Sequence, residues 1–291
     1  VTRSTTLDTL TTTQVTAYLA RIGVPRPPTP TASALAALQR AHLLAVPFEN
    51  LDIALGRAIS VEPTDTFDKV VNARRGGYCY ELNGLFGALL RSLGYAVDQV
   101  SARVSVAGDE LTPEFDHLAL VVTSPYLDEP ALADVGFGDA FIEPPPLRDG
   151  VERHEPGKDV GLALRDRIWQ YRERPEGGQW HTQYVFTRSA HPLADFAERN
   201  RWQQTSPDSH FTQKSVVSRL TETGRVTLSG RRLITTTRGR RVQHELDEAA
   251  VTAALADRFG IVLHRPEGDG RSPDAKDGPT ASASARRPSS R

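Results

Sequence analysis

The chain has 291 residues, a formal net charge of −1 at pH 7, one cysteine and no methionine, and 38% of it is hydrophobic. That length exceeds one small core and predicts two or three packed subdomains, while the near-neutral charge, without blocks of one sign, gives no footprint for nucleic acid or a membrane surface. No run approaches the ~18 apolar residues of a spanning helix, the opening VTRSTTLDTLTTTQV lacks the apolar core of a secretory signal, and a lone cysteine closes no internal disulfide, so the expected location is the cytoplasm.

Apolar residues fall at helical spacing over 7–23 and 33–44. The proline-rich PRPPTPT (25–31) makes a rigid connector between them. VPFENLDI (46–53) breaks the helix. A third helix is predicted over 66–73 and a fourth from Cys79 to Gly94, so residues 1–95 form a helical domain. The pattern then changes to alternation. AVDQVSARVSV (96–106), HLALVV (117–122), ALADVGF (131–137), RIWQYRE (167–173) and WHTQYVF (180–186) predict an antiparallel sheet or barrel over 96–190. An interdomain helix is expected within 191–205, centred on Leu193–Trp202. TSPDSHF (205–211) is a turn or cap. Three or four strands over 214–246 and a helix over 247–259 complete an α/β segment, 206–265. The tail, 266–291, is rich in Pro, Gly, Ser and Ala and free of large apolar residues, which predicts disorder.

RRGGYCYELNG (74–84) carries the only cysteine. A free cysteine is ordinarily a small buried hydrophobe. Three features point to chemistry instead. Gly76-Gly77 lets the backbone bend just before the helix. Cys79 then falls in the first helical turn, where unpaired N–H groups and the positive end of the dipole stabilise a thiolate. A thiolate nucleophile also needs a histidine and a group to orient it, and the sequence offers both. His154, His191 and His264 stand beside prolines or glutamate, His210 in a turn and His244 in a charged strand. His42 and His181 have no carboxylate nearby in sequence. His117 opens the strand HLALVV. A turn-like stretch follows, and a second strand brings Asp134. Paired as a hairpin, the two strands make His117 and Asp134 cross-strand neighbours.

VPFENLDI, RRGGYCYELNG, DHLALVV and LADVGFG, in that order, resemble the arylamine N-acetyltransferase family. SPDSHFTQKSVVSRLTETGRVTLSGRRL resembles its third domain, and the likeness covers roughly residues 5–262. It implies an α+β fold with a cysteine-protease-like core: an N-terminal helical bundle, an antiparallel β-barrel and a C-terminal α/β lid. It implies a Cys79–His117–Asp134 triad and a ping-pong reaction. Acetyl-CoA acylates Cys79, and an arylamine, arylhydrazine or N-hydroxyarylamine then takes the acetyl group. Acetyl-CoA is then a substrate, with no metal or prosthetic group; the cysteine and scattered histidines give no ligand cluster either. The assembly is open, a homodimer being allowed.

Supporting roles follow. Asn83, four residues after Cys79 on the same helical face, is placed to hydrogen-bond Asp134. The Tyr80 N–H is the expected oxyanion donor. By resemblance, Arg75 and Glu49 form a buried ion pair that fixes the glycine turn. Glu81 reads as a solvated helix charge and receives no role. The resemblance also implies Phe48, Tyr78, Tyr80, Phe137 and Phe211 around a flat acceptor. Gly136 and Gly138 are expected to let the CoA chain approach the backbone. No phosphate-binding motif marks where the CoA phosphates sit.

Three other readings compete. An amide synthase of antibiotic biosynthesis would share the triad and close a macrolactam; a polyketide synthase gene next door would favour it. A cysteine hydrolase of transglutaminase or protease type shares the core but lacks the RGGYC and DVGFG pairing. A catalytically dead binding module is at odds with an intact triad.

Overall fold

The first two helices begin where threonine side chains take up their orphan N–H groups. In the computed structural model, which describes residues 9–106 and 110–263, Thr11 and Gln14 form a reciprocal cap on α1 (Thr12–Ile22) and Thr31 caps α2 (Ala32–Ala45). Gly23 ends α1 with φ 74, a left-handed conformation that glycine adopts without steric cost. Residues 7 and 8, expected in the first helix, and the tail 266–291 lie outside the described residues.

After α2 the chain makes a two-residue strand, β1 (Phe48–Glu49), a short helix, α3 (Leu51–Ala54), and another, α4 (Pro63–Phe67). The last runs into a wider turn of π type over Asp68–Asn72, so the helix expected over 66–73 starts earlier and changes pitch midway. Then comes α5 (Cys79–Ser92), of which every residue from Cys79 to Leu90 is buried. Leu82, Leu85, Phe86, Leu89 and Leu90 pack with Tyr18, Leu35 and Leu38 of the first two helices and with Leu120 and Val122 of the sheet. Each such side chain contributes roughly 1.5–3 kcal/mol by leaving water. A helix apolar on all sides is a core helix, and α5 is held by helices on one side and strands on the other.

The strand-rich region forms a seven-stranded antiparallel sheet. Its members are β2 (Ala96–Val104), β3 (His117–Thr123), β4 (Ala131–Ala133), β5 (Glu152–Glu155), β6 (Lys158–Arg165), β7 (Ile168–Pro175) and β8 (His181–Ala190). The spatial order is β4-β3-β2-β8-β7-β6-β5, a half-barrel whose edges are β4 and β5. Two strands were not anticipated: β5 and β6 form a hairpin in a stretch whose charges and glycines obscure the alternation. The strand expected over 131–137 stops at Ala133.

A single 3₁₀ turn (Leu193–Phe196) leads into α6 (Ala197–Thr205), followed by α7 (His210–Gln213). Four strands follow, β9 (Val216–Thr221), β10 (Gly224–Ser229), β11 (Arg232–Thr237) and β12 (Arg240–Glu245), then α8 (Glu248–Phe259). The second sheet has the order β1-β9-β10-β11-β12. Phe48 pairs with Ser218 and Glu49 with Val217. This pairing ties the segment before α5 to the C-terminal strands, and residues 9–261 belong to one compact unit.

Candidate active site

Helix α5 starts at Cys79 because the backbone before it is wedged against its surroundings. A Cβ on Gly76 would lie 1.9 Å from the Pro47 carbonyl oxygen, and one on Gly77 2.7 Å from Glu81 Oε2. Only glycine fits at either place. Tyr78 is extended, with φ −112 and ψ −168, and its N–H donates to Glu81 Oε2 at 3.2 Å. The third helical residue thus caps the first turn. Cys79 is 5% exposed.

Behind this turn lies a buried cluster of five charges. Arg75 Nε donates to Glu49 Oε1 at 2.8 Å, and its terminal nitrogen reaches Asp52 Oδ1 at 3.1 Å. Lys69 Nζ stands 2.7 Å from Asp52 Oδ2 and 2.8 Å from Glu81 Oε1. The Arg75–Glu49 contact expected from the sequence is therefore one edge of a larger network. Glu81 was expected in solvent, yet it is 2% exposed. Burial pushes its carboxyl up to about 7, and the charge of Glu49 adds to the push, while Lys69 and the Tyr78 N–H pull it down.

His117 opens β3, and Asp134 is the first residue past β4. The register pairs Leu120 with Ala133, which sets Asp134 diagonally across from His117. Their side chains meet at 2.7 Å between Nε2 and Oδ2. The imidazole and Cys79 line the same cavity, and the thiol lies near enough to raise the ring's pKa. With Nε2 on the carboxylate, Nδ1 is the nitrogen left for sulfur.

Asp134 is fully buried and accepts from every side. Asn83 Nδ2 and the Gly136 N–H donate to Oδ1 at 2.8 and 2.9 Å. Tyr184 Oη donates to Oδ2 at 3.1 Å. Asn83 also donates to the Leu118 carbonyl at 2.6 Å and accepts the Val135 N–H at 2.8 Å. It thus ties α5 to both strands of the hairpin. The Asp134 N–H donates to Gln39 Oε1 at 3.0 Å. Burial would raise the Asp134 carboxyl, but the charge and hydrogen bond of His117, with Asn83 and the Gly136 N–H, hold it below the usual range. Burial likewise opposes a charged His117; the Asp134 charge and hydrogen bond and the Cys79 contact outweigh it and push the imidazole up to about 10.

A cavity of about 170 Å³ opens beside these groups, lined by Phe48, Cys79, Asp116, His117, Phe137 and Phe211 among others. Phe137 sits edge-on to His117, with ring centroids 5.1 Å apart. Phe48 and Phe211 face each other at 6.1 Å. Tyr78 and Tyr80, expected as further walls, lie behind the cavity and are fully buried. Tyr78 Oη is bonded to Asn200 Oδ1, and Tyr80 Oη donates to the Phe115 carbonyl at 2.9 Å. Their hydroxyls are spent on the protein. Gly136 serves the packing as well as the cavity. A Cβ there would lie 2.6 Å from Cys79 Cα and 2.8 Å from Asn83 Nδ2, so one side of its bare backbone is filled by the start of α5 while the residue still lines the cavity. Gly138 has φ +93 and packs under the Phe48 ring, and Arg225 bonds its carbonyl oxygen.

Three neighbours were missed in the sequence: Gln39, Asp116 and Tyr184. Tyr184 alternates correctly within its strand for an inward position, which is the one signal available. Gln39 looks like any helical amide. Among the described residues no group of three or more His, Cys, Asp or Glu is arranged to hold a metal ion, and no helix is long and apolar enough to cross a membrane.

This architecture has known relatives. The family model for N-acetyltransferase matches residues 31–267. The chain is 37% identical over 262 residues to the arylamine N-acetyltransferase of Mycolicibacterium smegmatis, covering 84% of this chain and 91% of that one. It is 35% identical over 217 residues to the arylamine N-acetyltransferase / N-hydroxyarylamine O-acetyltransferase of Salmonella typhimurium, covering 73% of this chain and 75% of the other. Among solved structures, the arylamine N-acetyltransferase of Mycobacterium marinum in complex with CoA superposes with a TM-score of 0.80 at 34% identity, over 85% of this chain and 92% of that one. The fold and these likenesses define the class as acyltransferase. The chain belongs to the arylamine N-acetyltransferase family.

Proposed function

We propose that the protein moves an acetyl group from acetyl-CoA to arylamines, arylhydrazines or N-hydroxyarylamines by way of a thioester on Cys79. The observation that carries this reading is the buried His117–Asp134 hydrogen bond set beside Cys79 at one cavity.

In the first half-reaction the thiol proton passes to His117 Nδ1, giving a thiolate beside an imidazolium. Asp134 stabilises the cation and fixes the ring through Nε2. Sulfur attacks the carbonyl carbon of acetyl-CoA. The oxyanion develops next to the first turn of α5, where the Tyr80 N–H and the helix dipole stabilise it. Collapse expels CoA as its thiol, which carries away the proton from His117. One thioester is broken and one is made, so loading is near thermoneutral and reversible.

In the second half-reaction an aromatic amine enters the cavity between Phe48, Phe137 and Phe211. Its lone pair attacks the thioester carbon. His117 takes the amine proton and returns it to sulfur as the amide leaves. Gly136 lines the cavity, and the CoA chain would approach the backbone there and beside Gly138.

The test is kinetic. Free CoA, followed with a thiol reagent, is expected to rise continuously only when both acetyl-CoA and an arylamine such as 4-anisidine are present. Double-reciprocal plots at several amine concentrations are expected to be parallel. Intersecting lines would contradict the thioester route, because they require both substrates to be bound together.

A further inference from the structure

The cavity beside Cys79 has one polar side chain that the reaction leaves unused. Asp116 lines it, and its side chain is 8% exposed. Every hydrogen bond it receives falls on one oxygen. Arg199 Nε and Gln203 Nε2 each donate to Oδ1 at 2.7 Å, and a terminal Arg199 nitrogen lies 2.6 Å from the same atom. Among the described residues, no donor reaches Oδ2.

The carboxylate is also fixed in place. Arg199 stacks over Trp202 at 3.7 Å. Gln203 accepts from Ser209 Oγ at 2.7 Å, which in turn accepts the Phe211 N–H at 3.2 Å. From below, Tyr80 Oη donates to the Asp116 carbonyl at 3.1 Å. The preceding residue, Phe115, holds a left-handed φ of 65, a conformation uncommon for a bulky side chain that persists only where the surroundings impose it. Oδ2 is thus an acceptor-only oxygen without a donor among the described residues, on a firmly held side chain at the cavity wall, open to whatever donates to it there.

We propose that Asp116 Oδ2 is the specificity anchor of the acceptor pocket. It receives an N–H or O–H of the acceptor other than the reacting nitrogen. The reading rests on the proposed acetyl transfer and names its preferred acceptors: aromatic amines and hydrazides with a second hydrogen-bond donor. Ring carboxylates are disfavoured, because they would set acceptor against acceptor. Arg199, which would neutralise them, does not line the cavity. A site built to bond a donor rejects an analogue without one more strongly than an apolar wall can.

The experiment compares 4-aminophenol, 4-anisidine and 4-aminobenzoate as acceptors. The first two have amines of near-equal reactivity and differ in an O–H against an O–CH₃, which keeps the oxygen and removes the donor. Wild-type kcat/KM is expected to fall by ~10-fold or more from aminophenol to anisidine, and further to aminobenzoate. In Asp116→Asn, Oδ1 can keep Arg199 and Gln203 while an NH₂ donor faces the cavity. The preference for aminophenol over aminobenzoate is then expected to shrink by ~10-fold or to invert. Formation of the acetyl-enzyme, read by intact mass on the same samples, tells a change in the acceptor step from one in loading. Equal wild-type kcat/KM for aminophenol and anisidine would overturn the inference without any variant. So would a folded Asp116→Asn with unaltered preferences. Absence of acetyl-enzyme in the wild type would instead sink the acetyl-transfer reading itself.

Discussion

Replacing Gly136 by alanine separates a spacing requirement from a chemical one. No reacting group changes, but the new Cβ would stand 2.6 Å from Cys79 Cα and 3.1 Å from the Cys79 carbonyl oxygen. Carbon atoms rest at ~3.5–4.0 Å, so the 134–138 loop and the start of α5 must part by roughly 1 Å. Neither side yields easily. The loop is bonded to Asn83 through the Val135 N–H, and α5 is buried throughout its first three turns. Overpacking of this size costs ~1–3 kcal/mol, which would lower the thermal midpoint by several degrees. The effect on rate should be larger. Moving Cys79 by about 1 Å relative to Asp134 and His117 is worth ~10²-fold in a step that depends on alignment. Timed intact-mass measurement of acetyl-enzyme formation, with a thermal melt on the same samples, reads both quantities. Wild-type acylation at an unchanged midpoint would refute the close packing of loop against helix.

Other changes test other contacts. Arg75→Gln leaves Glu49 and Asp52 short of a buried cation and is expected to cost ~3–5 kcal/mol in denaturant unfolding; a loss under 1 kcal/mol would mean that Lys69 alone holds the cluster. Tyr184→Phe removes one of the four donors to Asp134 and is expected to slow acylation a few-fold, a cost of about 1–2 kcal/mol. An unchanged rate would reduce Tyr184 to packing. The folded His117 ring is raised to about 10 from about 6.5 in the unfolded chain, so its contribution to stability is full below ~6.5 and is lost as pH rises through about 10. Nitrogen NMR should find the ring protonated at pH 8 and its titration lowered by Asp134→Asn. A midpoint near 6.5 in the wild type would contradict the coupling.

Chemistry marked by a motif was readable from the sequence, as with Asn83 and Asp134, 51 residues apart, and unmarked partners were not. The start of α5 at Cys79 was visible because glycines and an apolar run mark it within a few residues. The meeting of His117 with Asp134 followed from two strands joined by a short turn. Glu81 was misread because an acidic residue in a first helical turn usually faces water. Its partner Lys69 comes from another element, and Glu49, Asp52 and Arg75 gather around them. Gln39 reaches Asp134 from 95 residues away, and nothing in a helix sequence announces that. The pairing of β1 with β9 is likewise non-local, and two residues carry no alternation to read. Asp116 was passed over because its neighbour His117 carried the more familiar chemistry. Its partners Arg199 and Gln203 come from α6, 83 and 87 residues further along the chain.

The central claim is a covalent acetyl group on Cys79, and mass spectrometry tests it directly. Intact protein mixed with acetyl-CoA is expected to gain one acetyl group, mapped by digestion to Cys79. Addition of an arylamine is expected to remove it and yield the acetylated amine. Cys79→Ala, and folded His117→Gln, are expected to gain none. A wild-type protein that stays unmodified, or that carries its acetyl group elsewhere than Cys79, would contradict the account.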